Sequence, residues 1–292
     1  MEQRQRAGSG TRWGPLFGAG ADDWADTWEG SRGWGTSVYE HVLRRANIRA
    51  GTSILDCGCG AGRFVRLAAD HGAKVAGIDA ASALVEIARK RTPHADLRIG
   101  DFESLPWPDG TFDVVVGFST FQFADDHASA LREASRVSRG SVWVAIPTQL
   151  ADSGIPQVFA WLIELFPAEV PASLKNSGMY ALSAPERLEE LLETTGLRAR
   201  TDDVVESTVV FPNIDTAVRA FLSAGATALA IQHSGRRAVE QALTEALRPL
   251  TDDLGTVTLP GWFRVVEARP PAQLRRAGNT SATAQCPRCS RP

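Results

Sequence analysis

The sequence has little of what would place a protein in a specialised class. It holds four cysteines among 292 residues, and no apolar run approaches the roughly 20 residues that a membrane-spanning helix needs. Its opening MEQRQRAGSGTRWG has no apolar segment of the kind found in a secretory signal. With 31 basic and 34 acidic residues, the formal net charge is −3, which gives no net attraction to nucleic acid or to an anionic membrane. We therefore expect a cytoplasmic protein that acts on a small molecule and has no nucleic-acid or membrane partner; its oligomeric state is left open.

The few cysteines fall into two pairs with different surroundings. Cys57 and Cys59 lie inside a glycine loop, whereas Cys286 and Cys289 form a CPRC close to the last residue. A single CxxC is half of a four-ligand zinc site, and no second pair is evident. We expect no metal, and we interpret residues 271–292 as a disordered tail.

Strand-like and helix-like stretches alternate over residues 51–148. The predicted strands are TSILDCG, KVAGID, DLRIGD, FDVVVGFST and SVWVAIP. Apolar strands that alternate with helices indicate a parallel sheet covered on both faces, and right-handed crossovers then give a doubly wound α/β fold. Ligands of such sheets bind at the carboxyl ends of the strands. We expect residues 51–148 to form the ligand-binding core.

The rest of the chain divides into five segments around this core. Residues 1–20 predict a disordered N-terminus, and residues 21–50 a helical lid whose Trp24, Trp28 and Trp34 either pack on the main domain or cover a ligand. Residues 149–184 predict a cap insertion. Residues 185–270 predict the end of the sheet with a helical insertion, where DDVVESTVVFP and GTVTLPGWFRVVEAR form an antiparallel edge hairpin. The tail from 271 is the fifth.

The glycine loop ILDCGCGAGRF, residues 54–64, indicates the kind of ligand. Gly58, Gly60 and Gly62 depart from the GxGxxG spacing of dinucleotide sites, and the Gly-Lys-Ser/Thr of a P-loop is absent. Asp56, directly before the loop, would repel a pyrophosphate. It would instead attract a ligand that carries an ammonium and a sulfonium. The loop therefore favours a cationic ligand without phosphate.

Two further acidic residues follow the next two predicted strands. Asp79 ends KVAGID, where a carboxylate accepts hydrogen bonds from ribose hydroxyls. Asp101 and Phe102 begin DFESLPWPDG, where a carboxylate and a ring suit the exocyclic amine and the plane of an adenine. The three strand ends together favour a ligand that contains an adenosine and a cationic group.

These motifs together resemble the class I S-adenosylmethionine-dependent methyltransferases. LDCGCGAGRF is similar to the family's first motif, GIDAA to its second and GDFESLPWPDGTFDVVV to its third, so the resemblance is specific over residues 38–148 and extends in layout alone to 149–270. It implies a Rossmann-like methyltransferase fold with a mostly parallel seven-stranded sheet and helical cap segments. It also implies S-adenosylmethionine as cofactor and S-adenosylhomocysteine as product. The cofactor contacts implied are Asp56, Gly58, Cys59, Gly60, Gly62, Asp79, Ala80, Asp101, Phe102, Glu103 and Phe118.

The acceptor of the methyl group is harder to predict, because methyl transfer depends mainly on positioning. After the fourth strand, GFSTFQFADD lacks the Asn/Asp-Pro-Pro-aromatic stretch of adenine methylases, and we interpret Asp125 and Asp126 as the start of a helix. Aromatic and Met residues in the cap predict a small, partly apolar or aromatic acceptor. The candidate acceptor contacts are Gln122, Trp161 and Met179, and the candidate catalytic residues are His233 as general base and Tyr180.

Four functions remain open on this evidence. The favoured one is methylation of an O, N or C atom of a small metabolite. The second is a protein that binds S-adenosylmethionine for other chemistry, such as a cyclisation, or as a partner subunit. A nicotinamide oxidoreductase is disfavoured by the glycine spacing and by Asp56, and an RNA methyltransferase by the charge.

Overall fold

A seven-stranded sheet forms the centre of the computed structural model, which describes residues 8–148, 152–167 and 177–269. The strands are β1 (Ser53–Cys57), β2 (Lys74–Asp79), β3 (Asp96–Ile99), β4 (Phe112–Phe118), β5 (Ser138–Pro147), β6 (Arg198–Glu206), β7 (Val209–Phe211), β8 (Val257–Leu259) and β9 (Trp262–Arg269). The order in the main sheet is β3-β2-β1-β4-β5-β9-β6, and β9 runs opposite to the other six strands. The predicted doubly wound, mostly parallel sheet with an antiparallel edge hairpin is confirmed.

Helices cover both faces of this sheet because each buried strand alternates its side chains between two apolar clusters. Leu55 belongs to the cluster packed by α6 and α8, whereas Ile54 belongs to the cluster packed by α3 and α4. The helices are α1 (Gly10–Gly18), α2 (Ala21–Asp26), α3 (Thr36–Arg45), α4 (Arg63–Asp70), α5 (Ser82–Arg91), α6 (His127–Val137), α7 (Gly154–Ala160), α8 (Pro185–Thr194), α9 (Ile214–Ser223), α10 (Gly225–Ser234) and α11 (Arg236–Leu247).

Two late segments of the chain each contribute strands to two different sheets. Residues 198–211 form β6 and then β7, and residues 257–269 form β8 and then β9. β6 and β9 complete the main sheet, whereas β7 and β8 pair with each other in a separate two-stranded sheet. Val209 and Leu259 of this small sheet are buried in one apolar cluster with α7, α9 and α11. The small sheet thus fixes a helical layer above the carboxyl ends of the main strands.

The prediction of a disordered segment over residues 1–20 is wrong for Gly10–Gly18, which forms α1. The helix is ordered because it buries Trp13 and Leu16. Its glycines permit close approach, since a Cβ at Gly14 would lie 2.7 Å from the carbonyl oxygen of Ala80. We call residues 8–35 the N-terminal cap.

The N-terminal cap packs on the late helical layer through its tryptophans. Trp28 is buried, and its indole N–H donates to the carbonyl oxygen of Ala220, 2.6 Å away. Its ring meets Phe211 and Phe221 edge to face. Trp24, Trp28 and Trp34 pack in this way, as one interpretation of the tryptophan-rich segment predicts, and they also line a cavity. That they cover a ligand stays a prediction.

Among the described residues, no single helix has both the length and the apolarity of a membrane span. α9 and α10 pass such a test only together, and they are bent by 90° at Ala224. The CPRC and the tail predicted from residue 271 lie outside the described residues.

Candidate functional site

A deep cavity lies at the carboxyl ends of β1, β2 and β4, between the N-terminal cap and α10. Two chemically different regions share it. One is polar and is formed by the glycine loop and the residues that end the strands. The other is aromatic and is formed by the cap, α3, β9 and the start of α10.

The glycine loop leaves β1 in the left-handed region of backbone space, which glycine adopts at little cost. The φ angles are +68° at Gly58 and +53° at Gly60. A Cβ at Gly58 would lie 2.4 Å from Oγ1 of Thr120, and one at Gly60 would lie 2.2 Å from Oε1 of Glu29. The loop therefore requires glycine both for its backbone conformation and for the close packing of two other segments.

Asp56 is the most unusual residue of the polar region. Its residue surface is 3% exposed, it lines the cavity, and its buried Oδ1 has no hydrogen-bond partner among the described residues. Burial raises the pKa of Asp56 well above its ordinary value, and the nearby carboxylates of Glu29 and Asp79 raise it further. A buried carboxylate without a partner is costly, so this atom indicates a missing cationic donor.

Asp79 ends β2 and fixes the loop opposite it. Its Oδ2 accepts from the N–H of Gly60 at 2.9 Å, and its Oδ1 accepts from the N–H of Ala81 at 2.8 Å. Burial raises the pKa of Asp79, while these backbone donors oppose the shift. Asp79 and the adjoining Ala80 both line the cavity.

The third acidic strand end binds the N-terminal cap. Asp101 Oδ2 accepts from the N–H of Gly10 at 2.8 Å, and Glu103 Oε1 accepts from the N–H of Ser9 at 3.2 Å. Phe102, between them, is buried and reaches the cavity. The carboxylates of Asp101 and Glu103 therefore hold the start of α1 beside the ring of Phe102.

The aromatic region is built around the end of β4. Phe118 packs against Tyr39 and Phe64 at centroid distances of 4.7 and 4.6 Å. Ser119 follows with a φ of +51°, which is uncommon for a residue other than glycine, and its buried Oγ has no partner among the described residues. Met179 lines the same cavity. The remaining aromatic residues of the lining are Trp13, Phe17, Trp24, Trp28, Trp34, Phe102, Phe123 and Phe263.

Several predicted site residues lie outside this cavity lining. Gly62 packs against α5, where its Cβ would lie 2.7 Å from that of Ala88. The Gln122 carboxamide is fully buried, without a partner among the described residues. Trp161 is 54% exposed, and Tyr180 is partly buried, which raises the pKa of its hydroxyl. His233 is exposed in the last turn of α10.

Asp125 and Asp126 have structural partners. Asp126 is the N-cap of α6 and accepts from the N–H of Ser129 at 2.9 Å, which confirms the predicted helix start. Asp125 pairs with Arg12 of the N-terminal cap. Across the described residues, no three His, Cys, Asp or Glu side chains are grouped so that they could hold a metal ion.

Sequence reasoning missed several residues of the site, among them Glu29 and Tyr39. Glu29 is a buried carboxylate that contacts the glycine loop from much earlier in the sequence, since its Oε1 accepts from the N–H of Ala61. Burial raises the pKa of the Tyr39 hydroxyl, and the charges of Glu29 and Asp56 raise it further, so Tyr39 stays protonated. No spacing rule connects either residue to the loop, and the only available signal was the tryptophan-rich stretch around Glu29.

Comparison with known proteins agrees with this geometry. The family model of a methyltransferase domain matches residues 55–146. The malonyl-(acyl-carrier protein) O-methyltransferase of Serratia marcescens is 29% identical over 68% of this chain and 72% of its own. The O-methyltransferase resE of Aspergillus sclerotiorum is 29% identical over 61% of this chain and 64% of its own. The structure of the (4+2)-cyclase SpnF has a TM-score of 0.52 with 21% identity over 81% of each chain, a likeness of fold alone.

Residues 55–146 therefore form a methyltransferase domain of the class I S-adenosylmethionine-dependent type. The residues present fit this family's cofactor. The unpartnered Oδ1 of Asp56 is an acceptor for an ammonium group, and Asp79 brings a carboxylate to the same cavity. The conformation of the loop at Gly58 and Gly60 keeps the loop backbone next to the cavity.

Proposed function

We propose that the protein transfers the methyl group of S-adenosylmethionine to an O, N or C atom of a small, partly apolar or aromatic molecule. The observation that carries this proposal is the continuity of the cavity. Asp56 and Asp79 line its polar region, and aromatic rings with Met179 line the rest. Such a wall favours an acceptor with an apolar body that lies beside the reacting group of the cofactor.

The residues of the chain would bind, orient and exclude water. S-adenosylmethionine supplies a methyl group that its sulfonium already activates. In this proposal Asp56 would pair with the ammonium of the cofactor, Asp79 would accept from its ribose and Phe102 would border the adenine, while Asp101, outside the cavity lining, holds the start of α1 beside that ring. The aromatic wall keeps water from the reacting atoms, so positioning and desolvation contribute most of the rate.

The two hydroxyls in the aromatic region would orient the acceptor. Tyr39 stays protonated because burial and two carboxylates raise its pKa, so it acts as a hydrogen-bond donor rather than a base. Ser119 has an unpartnered Oγ and lines the cavity. Both relatives described above carry the name O-methyltransferase, which favours oxygen as the acceptor atom.

Binding and product analysis test this proposal in order. Calorimetric titration with S-adenosylhomocysteine is expected to give saturable binding, and NADH is expected to give none. Incubation with S-adenosylmethionine and a panel of aromatic and apolar alcohols, amines and carboxylic acids is then followed by mass spectrometry. We expect a methylated product in equal amount to S-adenosylhomocysteine. A rearranged product without S-adenosylhomocysteine would favour the cyclisation alternative, and binding of NADH alone would contradict the proposal.

A further inference from the structure

Glu29, in the N-terminal cap, is surrounded by hydrogen-bond donors. It is 7% exposed, and its Oε1 accepts from the backbone N–H of Ala61 and from the indole N–H of Trp24, both at 2.8 Å. Its Oε2 accepts from the backbone N–H of Arg63 at 2.9 Å and lies 3.4 Å from Nη1 of Arg91. One buried carboxylate thus receives donors from the cap, the glycine loop and α5.

Two of these donors belong to the first residues of α4 and the turn before it. The N–H groups at the start of a helix have no partner within the helix, and they attract anions together with the helix dipole. Phosphate groups of nucleotides bind to N–H groups of this kind. In this chain the carboxylate of Glu29 already occupies that position.

We propose that Glu29 is a positioning residue, which acts as an internal anion for the cofactor loop. Asp79 holds the N–H of Gly60, and Glu29 holds those of Ala61 and Arg63, so two carboxylates fix the loop from opposite sides. Because Trp24 donates to the same carboxylate and lines the cavity, Glu29 also sets the cap against the loop. A ligand with a phosphate at this position would meet occupied donors and a like charge.

A further contact keeps the surrounding elements together without Glu29. Arg91 donates to the carbonyl oxygens of Ala25 at 2.7 Å and of Ala61 at 3.1 Å, and so joins α2 to the loop. Removal of the Glu29 carboxylate therefore leaves a second link between the same elements, and the effect of the lost anion becomes measurable in a folded protein.

The direct experiment needs no cofactor. Sodium acetate and inorganic phosphate are titrated calorimetrically into the wild type, Glu29→Ala and Glu29→Gln. Glu29→Ala opens a space that an anion fills, so we expect saturable binding of acetate to this variant alone. Glu29→Gln keeps the space filled and is the matched control. Absence of acetate binding to Glu29→Ala, or equal binding to the wild type, would overturn the inference.

The effect on the cofactor site rests on the proposed function and is measured separately. Both variants are expected to bind S-adenosylhomocysteine about 10- to 100-fold more weakly, which is the usual effect of losing hydrogen bonds to a charged group. Acetate should restore part of this affinity in Glu29→Ala and none in Glu29→Gln. Unchanged affinity in both variants would overturn the role of Glu29. A wild type that fails to bind S-adenosylhomocysteine would contradict the proposed function, and the acetate titration would still decide on Glu29.

The control for these titrations is Asp113→Ala. Asp113 accepts from the N–H of Ser53 at 2.9 Å and pairs with Arg139, at the amino end of β4 and away from the cavity. Its loss also removes a carboxylate that accepts from a backbone N–H and pairs with an arginine. We expect wild-type affinity for S-adenosylhomocysteine in this variant, so a tenfold loss here would show that the effect of Glu29 is unspecific and would overturn the inference.

Discussion

At Asp56, the requirements of cofactor binding oppose the stability of the free protein. Its buried Oδ1 has no hydrogen-bond partner among the described residues, and a group of this kind destabilises the free protein. Asp56→Asn keeps the shape and removes the charge. We expect at least a tenfold loss of affinity for S-adenosylhomocysteine by calorimetry, together with an unchanged or higher melting temperature. A variant that binds as tightly as the wild type would contradict the role of Asp56.

The raised pKa of Asp56 also predicts how stability depends on pH. Since burial raises the folded-state pKa above the ordinary 3.8, this group's contribution to stability is fully present below pH 3.8 and is lost as pH rises through the folded pKa. The melting temperature of the wild type should therefore fall relative to Asp56→Asn as pH increases, and the two should converge in acid. Thermal unfolding across pH measures this, and a constant difference would mean that the pKa of Asp56 is not raised.

Gly60 and Gly51 separate two reasons for a glycine. Both have positive φ angles, +53° and +85°, so alanine at either position costs about 1–2 kcal/mol of conformational energy. A Cβ at Gly60 would in addition lie 2.2 Å from Glu29 Oε1, whereas nothing lies within 4 Å of one at Gly51. We expect both variants to be less stable in urea and only Gly60→Ala to lose cofactor affinity. If Gly51→Ala also lost affinity for the cofactor, the lower stability of the two variants would by itself explain the loss in Gly60→Ala.

Among the elements, the N-terminal cap depends on Trp28 for its attachment. Trp28 is 4% exposed and contacts α9 by a hydrogen bond and an edge-to-face ring contact. Trp28→Ala should lower the free energy of unfolding by about 3–5 kcal/mol, the usual cost of removing a buried tryptophan. Trp161, 54% exposed, is the matched control and should change the unfolding free energy by less than about 0.5 kcal/mol. Urea denaturation compares the two, and equal losses would contradict the assigned packing.

For the whole molecule, ligand binding should order two distant parts of the chain together. Trp13 and Phe17 of α1 and Gly225 at the start of α10 line the same cavity. The two helices also touch, since a Cβ at Gly225 would lie 2.7 Å from Cδ2 of Phe17. Hydrogen exchange with and without S-adenosylhomocysteine should show new protection in both helices, and none in the edge strand β6. Protection limited to the glycine loop would mean that the cap and the late helices respond independently.

Much of this architecture follows from local patterns in the sequence. The strands of the core are short apolar runs between turn signals, and acidic residues at their ends identify Asp56 and Asp79 because parallel strands bring their carboxyl ends to one edge. Phe118 and Met179 were predicted for the site and line the cavity.

The residues that were missed depend on contacts far apart in the chain. Glu29 reaches the loop from the N-terminal cap, and the Gly, Arg and Gln content of residues 1–20 predicted disorder for part of that cap. The apolar pattern in it is short, and its burial depends on α9 and α10, which come much later in the sequence. His233 and Gln122 were chosen for their chemistry, and their positions outside the cavity lining follow from the orientation of a helix and a turn that periodicity does not fix.

The position of β9 has a consequence for the synthesis of the protein. This strand is the last one described, yet it lies between β5 and β6. The last seven residues of β5 are all buried in the finished fold. While the ribosome makes the residues between β5 and β9, the edge of β5 that later pairs with β9 has no partner strand. A polypeptide cut short before Trp262 would keep that edge, and an open apolar edge is a template for aggregation. Since Phe263 also belongs to the cavity wall, a nascent chain cannot complete that wall before Phe263 has been translated.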